Sequence, residues 1–221
     1  MPNEEISALL EEKIRNGREF RDMEVRALDS DDPNEMIVEG YASTFNDPYL
    51  LWSEPGYTVH EQIDARAFDD ADMSDVILQY NHEGRVFARM SNNTLTVTPD
   101  EHGLKIRALL GGTEIGRQLY QEIRGGYTNQ MSFGFKVEED SREIDENQET
   151  GEVRIMRTIT KVAKLYDVSA VSIPANPATT IAARTYGEGV IAEAKAERQR
   201  AAEETDAKLK ALARIRILAE S

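Results

Sequence analysis

The sequence predicts a mainly β protein with flanking helices, an α+β fold whose strands form a small closed or nearly closed β-barrel. Eight or more short apolar runs have the length of strands, helical spacing is scarce, and Gly- or Pro-containing turns separate the runs. Many short strands with few helices are typical of a barrel or a strongly curved sheet. We expect three parts: an acidic helical segment over 1–35, the barrel over 36–186, and a charged helix over 187–221.

The first segment has apolar residues at helical spacing from Ile6 to Ile14, which predicts a short amphipathic helix. The period changes after the turn at 30–34. Predicted strands follow at 37–45, 57–63, 76–80, 85–90, 94–98, 104–110, 131–137, 153–165 and 166–173. We expect residues 48–57 to lengthen a loop, and the polar, acidic residues 138–151 to form a mobile one.

Two further helices are predicted. One covers 113–124, where Ile115, Leu119 and Ile123 share a stripe and Thr113 is a suitable N-cap. The other is the tail from Gly189, which is rich in Ala, Glu, Lys and Arg. Its apolar pattern is weak before Leu209, so we expect it to pack little on the barrel and to hinge at 187–189.

Composition excludes several classes of protein. The formal net charge of −15 disfavours binding to nucleic acids or anionic membranes, which need clustered cations. The absence of Cys excludes disulfides, thiolate zinc sites and cysteine nucleophiles, and three His make a His-rich metal site improbable. There is no apolar run of about 20 residues, as a membrane span requires. Phosphate-loop, HExxH and GxSxG patterns are absent, and we expect no cofactor and a soluble intracellular protein.

Three polar residues interrupt apolar strands. His82 follows the apolar run 76–80 and precedes Gly84, a position suited to a general base, although a lone His near a strand end is often structural. Ser132 lies in the MSFGF run after a Gly-Gly turn; it is either a nucleophile or a serine of no consequence. Asp167 lies in an apolar strand, where it either faces outward or orients an imidazole.

The joint order of short motifs resembles a known family. The motifs are GYASTF at 40–45, EQI at 61–63 with AF at 67–68, NHE at 81–83, TLTV at 94–97 with GL at 103–104, MSFGF at 131–135 and DVSAVSIPANP at 167–177. This order resembles that of the prohead maturation serine proteases of tailed bacteriophages, a family thought to share its fold with herpesvirus assemblin. The resemblance covers about residues 36–180.

The resemblance implies an assemblin-like barrel and a serine endopeptidase that cleaves phage scaffold and major capsid proteins, and itself, within the prohead in the host cytoplasm. It matches His82 and Ser132 to the base and the nucleophile. Asp167 stands where many members have Glu. Assemblins use a second His instead, but His60 and His102 both precede Ser132 and do not follow that order. Glu61 and Glu83 are the alternative acids.

Two other functions compete with the protease. One is a non-enzymatic capsid-assembly scaffold that uses the same barrel, which the charged tail would suit. The other is an unrelated β-barrel binding module. The paired His82 and Ser132 favour the protease, because a scaffold could lose them without effect.

Self-association is also expected. The stripe of Ile115, Leu119 and Ile123, with Tyr120 and Tyr127 close by, could form a helical dimer face of the kind that assemblin-type proteases use. The net charge opposes association at low ionic strength, and physiological salt shortens this repulsion to about 8 Å. We therefore expect a weak homo-oligomer, a dimer, whose activity rises with local concentration.

Overall fold

The computed structural model describes residues 18–28, 35–171 and 177–219. The described chain forms ten strands, two α-helices and a 3₁₀ turn at Met90–Asn92. The strands are β1 Glu19–Ala27, β2 Ile37–Thr44, β3 Tyr49–Glu54, β4 Tyr57–Ile63, β5 Ile77–Tyr80, β6 Glu83–Arg89, β7 Leu95–Pro99, β8 Gly103–Leu109, β9 Gln130–Glu146 and β10 Val153–Val171. The helices are α1 Glu114–Arg124 and α2 Pro177–Ala219. The mainly β prediction is confirmed.

All ten strands belong to one sheet, in the order β3-β4-β10-β9-β1-β2-β8-β7, with the β5–β6 hairpin attached to β10. Among the described residues no pairing joins β3 to β7, so the sheet is open and the predicted closed barrel is not confirmed. One edge of β10 carries two parallel partners in succession. Residues 153–159 pair with β4 and residues 167–170 pair with β5, which gives β10 its central place.

The long hairpin of β9 and β10 replaces a predicted loop. β9 continues to Glu146 and pairs antiparallel with β10, so the mobile loop expected over 138–151 is wrong except for its tip. The outer part of β9 is polar and mostly exposed, which hides the alternation of a strand. Ion pairs support it instead, such as Arg157 with Asp140 at 2.7 Å and Lys161 with Glu138 at 3.1 Å.

The N-terminal part contains a strand where a helical segment was expected. β1 pairs with β9 through Glu19–Glu24 and with β2 through Val25–Ala27, so it joins the two halves of the sheet. The helical prediction for 1–35 is therefore wrong over 19–27, and its helix at 6–14 lies outside the described residues. The chain expected to lengthen a loop at 48–57 also contains a strand, β3, which pairs with β4.

Helix α1 confirms the prediction for 113–124, and Thr113 accepts a hydrogen bond from the Gly116 backbone at 3.1 Å. Its apolar stripe is turned inward: Leu119, Tyr120 and Ile123 are buried in the main core of the protein. Leu119, Tyr120 and Ile123 of the surface expected to form a dimer are thus covered by the protein's own core, whereas Tyr127 is 84% exposed. Self-association itself stays a prediction, but the buried residues of this helix are not available for it.

Helix α2 corrects two expectations about the tail. It runs from Pro177 to Ala219 without a break, so Gly187 and Gly189 are not a hinge. Gly187 is required by packing, since a Cβ there would lie 2.5 Å from the Trp52 Cβ. Val190, Ile191 and Ala194 are buried in a second apolar cluster. That cluster also contains Val59, Val153 and Ile155 of β4 and β10. The first part of the helix therefore belongs to the body of the protein.

The C-terminal part of α2 agrees better with the expectation that the tail packs little on the rest of the protein. Every described side chain from Lys195 to Ile215 is exposed, including Leu209, Leu212 and Ile215, each more than 60% exposed. Arg198, which donates to Tyr57 and Glu146, makes the last described contacts with the sheet. The helix extends 21 residues further, or about 30 Å at the usual rise.

A buried ionic cluster lies where β1, β4 and β10 meet. Glu61 is completely buried and accepts hydrogen bonds at 2.7 Å from both Arg21 and Arg157. Arg157 also contacts Glu19 at 2.7 Å, and its guanidinium lies 3.8 Å from the ring centre of Tyr186 on α2. Since an unpaired buried charge is strongly destabilising, these groups depend on one another.

Candidate active site

Strands β9 and β10 carry Ser132 and Asp167, and the turn that follows β5 carries His82. Ser132 on β9 lies directly opposite Ser169 on β10, and Ser169 lies opposite Gln79 on β5. Directly opposed residues share a face of the sheet, as do residues two apart on one strand. Ser132, Ser169 and Asp167 therefore share one face.

His82 does not lie at a strand end, as expected, but within the turn between β5 and β6. Tyr80 pairs with Glu83, which leaves Asn81 and His82 as a two-residue turn with φ of 50° and 61°. Positive φ at both positions is what a type I′ hairpin requires, and Asn tolerates it better than His. The Asn81 backbone donates to the Ala170 carbonyl at 2.9 Å, which ties the turn to β10.

The turn brings His82 into contact with Asp167. The Nδ1 atom of His82 is hydrogen-bonded to Oδ2 of Asp167, and both side chains are essentially inaccessible to solvent. Asp167 also contacts the Arg18 guanidinium at 3.5 Å and accepts a hydrogen bond from the Ser169 hydroxyl at 3.0 Å. The outward-facing alternative for Asp167 is thus wrong.

These contacts determine the protonation of the pair. Burial raises the pKa of Asp167, but the His82 contact, with smaller effects from Arg18 and Ser169, brings the pKa below its ordinary value. The carboxyl group is therefore ionised at neutral pH and can only accept hydrogen bonds. His82 must then donate through Nδ1–H, and in the neutral imidazole the lone pair is on Nε2.

Ser132 is completely buried, and its hydroxyl has no hydrogen-bond partner among the described residues. It is the diagonal neighbour of Asp167 across the β9–β10 pair, a position that places the two Cβ atoms about 7 Å apart. The structure shows no hydrogen bond between the Ser132 hydroxyl and His82, so the predicted contact of these two residues stays a prediction. Catalytic hydrogen bonds are often long before substrate binds.

The residues beside Ser132 hold it in place. Phe133 and Phe135 are completely buried, and their rings stack with centres 4.7 Å apart. Strand alternation directs these rings to the face opposite Ser132, as predicted. On the other edge of β9, Asp22 of β1 pairs with Ser132, so the serine lies between two hydrogen-bonded strands.

The alternative third members lie elsewhere or have other contacts. His102 lies in the β7–β8 turn with its ring against Tyr41 at 4.5 Å, and His60 lies on β4. Glu61 is held by Arg21 and Arg157 in the ionic cluster. Glu83 follows His82, but its buried Oε1 has no hydrogen-bond partner in the described part of the chain. Asp167 is the acid that contacts His82.

Sequence reasoning missed two contributors. Arg18 precedes β1, and its guanidinium lies 3.8 Å from the ring centre of Tyr166 as well as against Asp167. Nothing in the sequence signals that contact, which joins residues 149 positions apart. Ser169 had a signal, because it follows Asp167 by two residues in a strand and therefore shares its face.

The fold and this cluster define a class: a mainly β protein in which two neighbouring strands carry a buried serine and a buried carboxylate, and an adjacent turn carries an imidazole that contacts the carboxylate. A family model described as the Caudovirus prohead serine protease matches residues 21–190, and the chain belongs to that family. No curated protein and no solved structure matches the chain significantly. Within the described residues, no helix combines the length and apolar character needed to cross a bilayer.

Proposed function

We propose that the protein is the serine endopeptidase of a tailed-phage prohead, with Ser132 as nucleophile, His82 as general base and Asp167 as the group that orients His82. The observation that carries the proposal is the buried contact of His82 with Asp167, on the face of the sheet that carries Ser132. Family membership supports a protease role in general.

The chemistry follows from the protonation of the pair. Nε2 of His82 takes the proton of Ser132 as Oγ bonds to the scissile carbonyl carbon, and the imidazolium is stabilised by Asp167. The proton then passes to the leaving amine as the C–N bond breaks, which leaves an acyl enzyme. Water, deprotonated by His82, attacks the acyl carbon; the ester bond to Ser132 Oγ then breaks, the carboxylic acid product leaves, and Oγ recovers a proton from His82.

The proposed substrates are the scaffold and major capsid proteins of the same phage, together with the protease's own termini. Family membership favours substrates and a location within the immature capsid. A scaffold role alone would need none of these groups, and burying the charged Asp167 without a partner would be unfavourable. The buried pair therefore favours the enzyme over the scaffold.

The test uses a fluorophosphonate probe, which labels activated serines without knowledge of the substrate. We expect the purified full chain to be labelled at Ser132, as mapped by peptide mass spectrometry, and Ser132→Ala to remain unlabelled. Ser43→Ala is the matched control, because Ser43 is also a completely buried strand serine. Absence of labelling in the folded wild-type protein would refute the proposal.

The substrate is tested separately by producing the chain together with the scaffold and capsid proteins of its phage. Wild-type protein should shorten them, and Ser132→Ala should leave shells of uncut protein. Shells that assemble only in the presence of the Ser132→Ala chain, and that are never cut by wild type, would favour the scaffold role instead.

A further inference from the structure

A second serine lies within the cluster around Asp167. Ser169 is completely buried on β10, and its hydroxyl donates to Oδ2 of Asp167 at 3.0 Å. That oxygen is the one that also accepts the hydrogen bond of His82. One carboxylate oxygen thus receives two hydrogen bonds, one from the imidazole and one from the strand that carries the carboxylate itself.

We propose that Ser169 is a positioning residue, whose hydroxyl fixes the Asp167 carboxylate in the orientation that faces His82. The inference rests on the proposed function, since it assigns a role within the same site. It does not make Ser169 a catalytic residue, because it acts through Asp167.

Strand geometry explains how Ser169 can do this. Residues two apart on a strand share a face, so the short serine side chain reaches the carboxylate of Asp167 without bending the backbone. A β-bulge lies between Leu165 and Asp167, whereas the register from Asp167 to Ser169 is regular. The hydroxyl is thus held by a regular ladder on both sides, from Ser132 and from Gln79.

The position of Ser169 opposite Ser132 gives it a second effect. A serine hydroxyl has a single proton to donate. Because Ser169 donates that proton to Asp167, it does not donate it to the neighbouring Ser132 oxygen. The lone pairs of the Ser132 oxygen then remain available to attack the scissile carbonyl carbon. This agrees with the absence of a hydrogen-bond partner for Ser132 among the described residues.

Ser169 also affects the electrostatics of Asp167. Among the described residues, the charged or titratable groups that face Asp167 are His82 from the β5–β6 turn and Arg18 before β1. Ser169 adds a neutral donor, which disperses the negative charge of the carboxylate.

The experiment measures the rate of fluorophosphonate labelling of Ser132 as a function of pH in full-length variants. For Ser169→Ala we expect the plateau rate to fall about tenfold, the effect of one hydrogen bond to a charged group. Ser169→Thr, which restores a hydroxyl, should recover most of the rate, and Ser43→Ala should match the wild-type rate.

Several outcomes would overturn the inference. If Ser169→Ala keeps the wild-type rate, or loses rate only in proportion to a lost folded fraction, Ser169 does not position Asp167. If Ser132→Ala is still labelled and Ser169→Ala is not, then Ser169 is itself the nucleophile.

A readout independent of activity separates this inference from the proposed function. The proton shared by His82 Nδ1 and Asp167 should give a downfield resonance in proton NMR, and Ser169→Ala should shift it, whereas Ser43→Ala should not. If wild type is never labelled but this shift is seen, the protease proposal fails and the positioning role of Ser169 stands. If wild type is labelled and Ser169→Ala causes no shift, the protease proposal stands and the positioning role of Ser169 fails.

Discussion

Asp167 is a charged group without access to solvent, and three donors compensate for its burial. Two of them, His82 and Arg18, carry or can carry positive charge, and the third is the hydroxyl of Ser169. Removing one partner of a buried pair leaves the other uncompensated, so the site should respond sharply to single substitutions. The response to each substitution assigns the role of each group.

Asp167→Asn should reduce labelling and proteolysis by about 10⁴-fold, because an amide that donates to Nδ1 would favour the wrong imidazole tautomer. The measurement is the labelling rate of Ser132 at a pH where wild type is at its plateau. Glu83→Gln is the control, since Glu83 adjoins His82 without contacting it through the observed hydrogen bonds. Wild-type rates in Asp167→Asn, with loss of rate in Glu83→Gln, would give the third role to Glu83.

For single residues, the order of the family's motifs gave a more specific prediction than residue type and spacing did. Ser132, His82 and Asp167 were each ambiguous by themselves, and the order of the family's motifs singled them out. The left-handed turn that carries His82 was not foreseen, because Asn-His is not a typical type I′ pair. That such a residue adopts φ of 61° fits the observation that backbone strain clusters at functional sites.

Among the secondary-structure elements, the strands that could be predicted were those in which apolar and polar residues alternate regularly. β4 was predicted with its observed bounds, and β7, β8 and α1 to within a residue or two. β1 was missed because its inward face carries Arg21 rather than an apolar side chain, and the compensating Glu61 is distant in sequence. The outer half of β9 was missed because its residues are mostly polar and exposed on both faces, whereas the outer half of β10 was predicted within the strand at 153–165.

The two parts of α2 should differ in their effect on stability. Ile191 is buried against the sheet, so Ile191→Ala should lower the free energy of unfolding by about 2–4 kcal/mol. Ile215 is 63% exposed, and Ile215→Ala should change it by less than about 0.5 kcal/mol. Urea unfolding followed by fluorescence of Trp52 measures both. Equal effects would mean that α2 does not divide in this way.

Two truncations of α2 compare its exposed and buried parts in the same way. Deletion of 200–221 should leave the sheet folded, because the described contacts end at Arg198. Deletion of 188–221 removes Val190, Ile191 and Ala194 from the second cluster and should destabilise the protein. The packing of these residues contradicts the expectation from sequence that the tail from Gly189 packs little on the barrel.

The whole molecule depends on charge compensation as well as on its apolar core. The ionic cluster joins β1, β3, β4 and β10 around Glu61, with Tyr186 of α2 against Arg157. Burial alone would raise the pKa of Glu19, but Arg21 and Arg157 lower it from 4.5 to about 2. The folded state therefore holds this carboxylate ionised at a pH where the unfolded chain has bound a proton.

The sign of the pH effect follows from linkage. The contribution of Glu19 is complete above 4.5, the unfolded value, and is lost as pH falls towards about 2. Wild type should thus lose stability between about pH 5 and about pH 3, and Glu19→Gln should lose less over that interval, although it is less stable at pH 7. Urea unfolding at each pH measures this. Glu149→Gln, in the exposed β9–β10 turn, should keep the wild-type slope.

The place of β1 limits how far the N-terminus can be trimmed without loss of the fold. β1 is the strand through which β9 is joined to β2, and it supplies Arg21 to the ionic cluster. Arg18, immediately before it, contacts Asp167. A cut before Arg18 keeps every one of these contacts, whereas a cut within Glu19–Ala27 leaves β9 with an open edge beside Ser132. A difference of only a few residues in the position of the cut would thus separate trimming that spares the fold from damage to the sheet beside Ser132.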